Sequence, residues 1–277
     1  ENLILAAIAN DSAKVANLLK DSENPTVLLN SRDFLGRSAL HVAVLSGAFD
    51  VSKVLLEHAS AELLQGRLAD GRNALHLVAI KGQRYIAKRI LDKRFKLAND
   101  GTSSEDVLDI DGCDWDVKLS PLHYAIMLGR VEIVRLLISR GASARKVSVH
   151  KDRNESLSSF DLLAMFAAEG GVRDYGISFQ MFQMVQRQMI SIREIAKLLL
   201  KAGASAAQVD TKGACCWHRF AACTKPSSLW AFEIVLKAHA ELGGVKGLDI
   251  LDSEMNTPLF VATKSGNAEA VSILLKA

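Results

Sequence analysis

Four histidines recur at matching positions along the chain, and their chemistry is the first question that the sequence raises. His41, His76 and His123 each end a motif made of a small polar residue, a small residue or Pro, and Leu, while the fourth, His218, follows two cysteines and a tryptophan. Neutral imidazole is a zinc ligand and a general base, and cysteine thiolate is also a zinc ligand. A metal or catalytic site would require several of these side chains to meet at one point.

The spacing of the histidines argues against such a meeting. They occur one per copy of a repeated segment, and helices that pack side by side lie about 10 Å apart. Zinc ligands, in contrast, bind within about 2 Å of one ion. We therefore expect neither a metal site nor a catalytic site from the repeated histidines.

Cys215, Cys216, His218 and Cys223 form a sharper candidate metal set, because they lie close together in sequence. Cys215 stands where a helix cap is expected and Cys223 near the end of the same helix, so the two thiols do not converge with the imidazole. Small buried apolar side chains are the alternative role for these cysteines, and we favour it. With Cys113 the cysteines form no spaced framework, which indicates reduced thiols in an intracellular protein, cytoplasmic or nuclear.

Other catalytic signatures are absent from the sequence. It contains no glycine-rich phosphate loop ending in Lys-Ser or Lys-Thr, no His-Glu-x-x-His and no Gly-x-Ser-x-Gly. An acidic run resembles a calcium loop but lacks its terminal Glu and fixed Gly, so an exposed acidic loop is the favoured interpretation; its members are Asp106, Asp109, Asp111, Asp114 and Asp116. We predict a protein that is not an enzyme and that uses no cofactor or metal.

Composition indicates an ordered chain without an obvious polyanion or membrane partner. Of the 277 residues, 49% are hydrophobic and 23% charged, which is sufficient for a folded structure. The net charge of +3 is small and looks spread along the chain, so strong nucleic-acid binding has no evident source. No apolar stretch approaches the roughly 20 residues that span a bilayer. The chain opens on Glu1 and stops inside a helical pattern, so we expect a segment of a longer protein.

The elements around each histidine repeat along the chain. A small polar cap and an apolar run are followed by a Gly and then by a second apolar run that ends in paired aliphatics, such as Leu55-Leu56 and Leu136-Leu137. The glycines are Gly47, Gly82, Gly129 and Gly266. Ser or Thr caps a helix and Gly ends one in a left-handed conformation, so each copy predicts two short helices.

These motifs resemble the ankyrin repeat, whose core is Asp-x-x-Gly-x-Thr-Pro-Leu-His-x-Ala. The segment from Asp33 to Ala43 matches nearly throughout, and Ser120 to Ala125 keeps Pro-Leu-His-x-Ala, whereas the last copy has Met255 for Gly and Phe260 for His. The resemblance implies an all-α ankyrin-repeat α-solenoid with short β-hairpin loops. It also implies a structural role for the histidines, which would bond backbone groups near the hairpins; these are His41, His76, His123 and His218.

We expect a single domain of about seven irregular repeats, with approximate bounds 1–30, 31–65, 66–98, 112–145, 157–206, 207–243 and 248–277. The spacing departs from the 33 residues usual for the family: it is 35 from Ser38 to Asn73 and 47 from Asn73 to Ser120. The insertion before Ser120 predicts an exposed loop. The fifth repeat is degenerate, and its insertion at about 171–192 predicts a long amphipathic helix with Phe182, Val185, Met189 and Ile192 in the core.

The function implied by the resemblance is a protein-interaction scaffold that binds a protein or peptide along its concave face. Phe34 and Trp115 are large aromatics in turns where the motif has polar residues, although Trp115 has the equal alternative of covering its own loop. The predicted partner-binding residues are Phe34, Leu35, Arg37, Asp70, Arg72, Lys81, Trp115, Asp116 and Lys118. The resemblance also implies that further positions between the motif residues face the concave side, and these are Leu45, Ser46, Ala69, Ile80, Leu119, Met127 and Leu128.

Two alternatives remain open from the sequence. A nucleic-acid or poly-anion binding module would use basic residues of neighbouring hairpins and helices, namely Arg32, Arg37, Arg67, Arg72, Lys81 and Arg84. An enzyme hidden in the insertion is the other alternative, but no residue there can be nominated for catalysis. We expect a monomeric segment with a protein partner, no nucleic acid and no membrane contact; the sequence identifies neither the partner nor the oligomeric state.

Overall fold

The computed structural model of the chain describes residues 3–100, 104–150, 155–167, 192–224, 226–242 and 247–277. These residues form two compact units, one comprising Glu1–Tyr124 with Ser139–Ala142 and the other comprising Ala125–Ile138 with Ser143–Ala277. Among the described residues no helix is both long enough and apolar enough to cross a membrane.

Unit 1 is built from three rows of helices. First helices α1, α4 and α7 pack on one another, second helices α2, α5 and α8 form the next row, and short helices α3, α6 and α9 form a third. Their bounds are α1 Leu3–Ile8, α2 Ser12–Lys20, α3 Pro25–Asn30, α4 Ala39–Ser46, α5 Phe49–Glu57, α6 Ala61–Gln65, α7 Ala74–Lys81, α8 Arg84–Asn99 and α9 Ser104–Val107. The third row was not predicted from the sequence, which indicated two helices per copy.

The predicted pattern of cap, helix, Gly and second helix is confirmed in unit 1. The Ser38 side chain accepts the backbone N–H of His41 at the start of α4, and Gly47 ends that helix with a φ of 76°. Asn73 and Gly82 do the same for α7, where the φ of Gly82 is 74°. Such left-handed positions favour Gly because it has no Cβ.

The insertion between α8 and Ser120 is not the exposed loop that the sequence predicted. Its apolar side chains Val107, Leu108 and Ile110 are buried. The Gln65 amide of α6 donates to the Asp106 carbonyl, and α9 packs against both α6 and α8. This segment is therefore held in place by burial of its apolar side chains, although it also carries several acidic residues.

Two helices follow the insertion, α10 Pro121–Met127 and α11 Val131–Ser139. Unit 2 then has a two-stranded antiparallel sheet, β1 Ser148–His150 and β2 Glu155–Leu157, with Ser148 opposite Leu157. Its remaining helices pack in two rows, α12 with α14 and α16, and α13 with α15 and α17. Their bounds are α12 Ser159–Ala167, α13 Ile192–Lys201, α14 Cys216–Ala222, α15 Pro226–Glu241, α16 Pro258–Lys264 and α17 Ala268–Lys276.

An aromatic cluster fills the core of unit 2. The rings of Phe220 and Phe232 stack with centroids 5.1 Å apart, and Trp217 lies 5.9 Å from Phe232. The predicted long helix falls mostly on residues 168–191, which lie outside the described residues. Its continuation in α13 is described, and the expected core positions Ile192 and Leu199 are buried there.

Candidate interaction surface

The first turn, residues 33–37, presents its two central side chains to solvent. The Asp33 carboxylate accepts the backbone N–H groups of Leu35 and Arg37 at 3.0 and 2.8 Å, and the Arg37 guanidinium at 2.7 Å. The Asp33 N–H donates to the Arg37 carbonyl. The turn is therefore held by its own polar groups, which leaves Phe34 92% exposed and Leu35 half exposed.

The second turn, residues 68–72, uses a different acidic residue for the same purpose. The motif Asp is replaced by Leu68, and Asp70 instead accepts the Arg72 backbone N–H at 3.0 Å and its Nε at 2.6 Å. These bonds and the charge of Arg72 lower the pKa of Asp70, although its burial acts in the opposite direction. A Cβ at Gly36 would lie 4.0 Å from the Ala69 nitrogen, so the first two turns are in contact.

The third turn, residues 114–119, has one residue more and is anchored by Asp114. This buried carboxylate accepts the N–H groups of Val117 and Lys118 and, at 2.7 Å, the hydroxyl of Tyr124. Burial raises the pKa of Asp114, and burial together with the Asp114 carboxylate raises that of Tyr124 above its ordinary range. Asp114 is thus a structural residue and not part of an exposed acidic loop.

Trp115 joins the third turn to the second. Its backbone N–H donates to the Asp70 carbonyl at 2.9 Å, and a Cβ at Gly71 would come within 2.4 Å of its ring. The side chain nevertheless remains 54% exposed. Both sequence interpretations of Trp115 therefore describe part of its environment, because one part of the ring covers Gly71 and the remainder faces solvent.

The predicted partner-binding residues fall into two groups. Five of them are exposed, and these are Phe34, Leu35, Lys81, Trp115 and Asp116. Four are partly buried and have bonds within the chain, and these are Arg37, Asp70, Arg72 and Lys118. We call the three turns together, residues 33–37, 68–72 and 114–119, the turn-tip surface.

Four positions that the sequence analysis placed outward are buried instead. Ile80, Leu119, Met127 and Leu128 have exposed fractions of 8% or less. All four lie next to motif residues in the sequence. They are nevertheless covered by the packed helices, as apolar side chains usually are. This expectation was therefore wrong.

Most of the arginines that the sequence indicated for a polyanion site form hydrogen bonds or ion pairs within unit 1. Arg32 Nη1 donates to the Gly36 carbonyl at 3.3 Å, and Arg67 Nη1 donates to the carbonyls of Gly71 and Cys113 at 2.6 and 2.8 Å. Together with the Arg37 and Arg72 pairs, these bonds direct the guanidinium groups toward the turns.

The repeated histidines connect each first helix to the following repeat. His41 Nδ1 accepts the Ser38 N–H, and its Nε2 lies 3.1 Å from the Gly66 carbonyl oxygen. His76 and His218 make the same pair of contacts, with Nε2 3.1 Å from the carbonyls of Leu119 and Asn256. Because a carbonyl only accepts, Nε2 carries the proton and Nδ1 is the acceptor.

These contacts require the neutral form of the ring. Burial lowers the pKa of His41 to about 4 and that of His76 to about 3, and neighbouring arginine charges act in the same direction. His123 accepts the Ser120 N–H at 3.3 Å in the same cap arrangement. Each of these four rings thus bonds the backbone N–H of its own helix cap.

The cysteine group does not form a metal site among the described residues. Cys215 Sγ lies 3.3 Å from His218 Nδ1 within the helix cap, while Cys216 Sγ donates to the Ala206 carbonyl. Burial raises the pKa of Cys215 to about 11. A thiol with a raised pKa carries little thiolate at neutral pH, so neither metal binding nor nucleophilic attack is favoured.

Asp161 is the residue whose role the sequence analysis missed. It occupies the histidine position of the degenerate repeat, where its Oδ2 accepts the Ser158 N–H at 2.9 Å. Arg219 bridges Asp161 and Asp210, with distances of 3.1 and 2.8 Å. Burial is the largest influence on Asp161 and raises its pKa, while Arg219 acts against it. The sequence feature that could have identified this role is Ser158-Ser159-Phe160, directly before Asp161, because it keeps the cap and apolar positions of the motif.

Family models match part of the chain. A model described as ankyrin repeats in three copies matches residues 60–148, and one described as a single ankyrin repeat matches residues 35–65. A search of curated protein sequences finds no match to this chain.

Solved structures extend the similarity to nearly the whole chain. The ankyrin repeat domain of Bcl-3, described as a unique member of the IkappaB protein family, has a TM-score of 0.70 at 20% sequence identity, and the match covers 99% of this chain and 98% of that one. An ankyrin repeat domain from Acinetobacter baumannii AYE has a TM-score of 0.55 at 18% identity, with 99% and 96% covered. At these identities the likeness concerns the fold.

Proposed function

We propose, from the premise that this chain is an ankyrin-repeat domain, that it is a non-enzymatic scaffold that binds a protein or peptide through the turn-tip surface and the adjoining first helices. Ankyrin repeats are in general protein–protein interaction modules. The finer statement, that these particular turns contact the partner, is the proposal.

The observation that carries the proposal is the exposure of Phe34 and Leu35 on a turn that is already rigid. A large apolar side chain exposed by 92% contributes nothing to the core. Aromatic side chains are enriched at the centres of protein interfaces. Because the Asp33 bonds hold the turn before binding, little conformational entropy is lost when a partner covers these side chains.

Trp115 supports the proposal from the third turn. Its ring is restrained on one side by Gly71, and its backbone is tied to Asp70. Because the first turn contacts the second and the second contacts the third, the two exposed aromatics, Phe34 and Trp115, are separated by a single turn. A partner that contacts Phe34 is thus within reach of a second restrained anchor.

The poly-anion alternative receives no support at the turn tips. A phosphate would have to compete there with the carboxylates and carbonyls that Arg37, Arg67 and Arg72 already contact. The exposed tips are apolar or acidic, as at Phe34 and Asp116, and acidic side chains repel phosphate.

The test uses a double variant, Phe34→Ala with Leu35→Ala, in the full-length protein. The partner is first crosslinked in the native cells and identified by mass spectrometry, and its affinity is then measured with purified protein. We expect the affinity to fall by at least about tenfold, or about 1.4 kcal/mol. Val27→Ala is the control, because Val27 is also apolar and is 71% exposed but lies on α3.

Equal affinity of the double variant and the wild type would contradict the proposed surface. Charge reversal at Arg37 and Arg72 is unsuitable for this purpose, because it would also place like charges against Asp33 and Asp70 and destabilise both turns.

A further inference from the structure

Helix α8 carries more positive charge than the chain as a whole. It contains six Lys and Arg residues and a single Asp, which gives a net charge of +5, whereas the chain has a net charge of +3. The rest of the chain is therefore slightly acidic. The expectation that positive charge is spread along the sequence was wrong, because this helix concentrates it.

The charges lie on the face of α8 that points away from the core. Ile86, Ile90 and Leu91 are buried. Residues on the opposite side are neighbours at spacings of three and four, as in the two series 85, 88, 92, 96 and 85, 89, 92, 96, and they are Tyr85, Lys88, Arg89, Asp92 and Lys96. Tyr85 is 72% exposed and Phe95, near the other end, is 64% exposed. We call this the α8 outer face.

Some cations of α8 are bonded within unit 1, and others are not paired with an acidic residue among those that the structure describes. The one acidic residue of the helix, Asp92, is paired with Arg140 at 2.6 Å. Lys93 donates to the Glu57 carbonyl and Arg94 to the Leu108 carbonyl. Lys88, Arg89 and Lys96, by contrast, have no ion pair with any residue that the structure describes.

Apolar features accompany these three cations. Tyr85 and Phe49 of α5 form an edge-to-face pair with ring centroids 6.2 Å apart. A recess of about 190 Å³ lies between the end of α5 and α8, with Leu56 as its apolar member. The lining residues are Leu56, Glu57, Arg89, Asp92, Lys93 and Lys96.

We propose that the α8 outer face is a second docking surface, separate from the turn tips, for an acidic peptide segment that carries aromatic or large aliphatic anchors. Its acidic residues pair with Lys88, Arg89 and Lys96, and its anchors contact Tyr85 and the recess. Charge complementarity selects the acidic residues, and apolar contact adds the affinity. The 16-residue helix is about 24 Å long at 1.5 Å per residue, which an extended segment of about seven residues covers.

An acidic peptide fits this face better than a nucleic acid does. Glu57 and Asp92 lie within the recess and interrupt the row of cations. A phosphate backbone, with one charge at every nucleotide, would meet these carboxylates, whereas a peptide can place an uncharged residue there. The aromatic pair at Tyr85 offers an edge-to-face arrangement that suits an apolar side chain.

The experiment measures binding of a fluorescein-labelled peptide of about twelve residues, long enough to span the helix, in which two Phe are separated by Asp and Glu. The face variant is K88Q/R89Q/K96Q, and the control variant K201Q/K237Q/K276Q removes the same charge from exposed lysines elsewhere. We expect the face variant to weaken binding at least about tenfold, while the control variant binds like the wild type. Circular dichroism checks that both variants are folded.

Two further measurements separate the parts of the proposal. Tyr85→Ala should weaken binding of the Phe peptide but not of a matched peptide with Ala in place of Phe. Equal losses in the face and control variants would overturn the proposal, since only net charge would then matter. Failure of the peptide to bind would also overturn it, and so would tighter binding of a single-stranded oligothymidylate that the face variant abolishes.

Discussion

His76 in unit 1 and Asp161 in unit 2 occupy the same position of their repeats and make corresponding connections with opposite chemistry. His76 Nδ1 accepts the Asn73 N–H, and its Nε2 donates to the Leu119 carbonyl of the next turn. Asp161 Oδ2 accepts the Ser158 N–H, but its Oδ1 accepts from Arg219, which reaches Asp210 of the next turn. In both repeats the start of the first helix is thus joined to the following turn.

The difference follows from what each side chain can donate. Neutral imidazole has one donor and one acceptor, so a single His joins the two backbone groups directly. Ionised Asp has only acceptors, and it therefore needs a cation between itself and the turn. The comparison teaches that this position requires a link between consecutive repeats and not a particular residue type.

Arg219→Met tests the ionic link and is expected to have the largest effect. It leaves Asp161, which is 1% exposed, and Asp210 buried without their cation. Removing one partner of a buried ion pair costs about 3–5 kcal/mol, so the free energy of unfolding measured by urea denaturation should fall by that amount. Lys201→Met, at an exposed site of the same unit, should change it by less than about 0.5 kcal/mol. A loss below about 1 kcal/mol in Arg219→Met would show that the pair is dispensable.

The same comparison explains how far the sequence could predict the fold. His41, Gly47 and their counterparts recur with fixed neighbours, so the helix pairs and their caps follow from pattern and the family resemblance. Asp161 was missed because its contacts depend on Arg219, which is 58 residues away in the chain. A repeat motif predicts hydrogen bonds between residues close in sequence. It does not predict that Asp can replace His where an Arg of another repeat supplies the missing donor.

The candidate surface could be predicted only in part for a related reason. Exposure of Phe34 follows from its place in a turn, and this was correctly expected. Burial of Ile80 and Met127 depends on which helices cover them, and the pairing of Arg72 depends on Asp70 replacing the motif Asp in the second turn. The charge on α8 is visible in the sequence, but its exposure becomes apparent only when the buried face of the helix is known.

Acidification should weaken the neutral links of His41 and His76, because these two histidines bind protons less readily in the folded chain than in the unfolded one. The lowered pKa values, about 4 for His41 and about 3 for His76, lie below the ordinary value of about 6.5. Unfolded chains therefore take up more protons as the pH falls from 6.5 toward 4, and stability is lost in that window. The expected loss is about 2 kcal/mol per histidine between pH 7 and 5.

Urea denaturation at several pH values measures this loss, and His239 provides the control in unit 2. Burial lowers its pKa to about 4, and its Nε2 has no hydrogen-bond partner among the described residues. His239→Leu should therefore remove one histidine's share of the pH dependence without breaking a link between repeats. Persistence of the full pH dependence in both His239→Leu and His41→Asn would contradict the assignment of the loss to buried neutral histidines.

His76→Ala breaks a neutral link and should have a smaller effect than Arg219→Met. It leaves the Asn73 N–H without its partner and removes one of the two bonds of the Leu119 carbonyl, which keeps the Asp114 N–H, and the expected cost is about 1–3 kcal/mol of unfolding free energy. The loss is smaller than in Arg219→Met because no buried charge is left without a partner. Chelator should leave the melting temperature of the wild type unchanged. A melting temperature that falls on chelation in the wild type but not in His76→Ala would instead indicate a metal role.

Gly71→Ala tests a weaker neutral link of the same kind, between the second and third turns of unit 1. Gly71 has a φ of 83°, and an added Cβ would displace the Trp115 ring. Gly141→Ala is the matched control, because Gly141 has a φ of 92° but nothing within 4 Å of its Cβ position. The control should lose about 1 kcal/mol from backbone strain alone, and Gly71→Ala should lose more. In a Trp115→Ala background the difference between the two losses should shrink, since the ring is then absent and only the backbone nitrogen of residue 115, 2.6 Å from the added Cβ, remains in the way. If the difference between the two losses is as large in that background as in the wild type, the Trp115 ring is not what joins these turns, and the backbone bond from Trp115 to Asp70 must join them by itself.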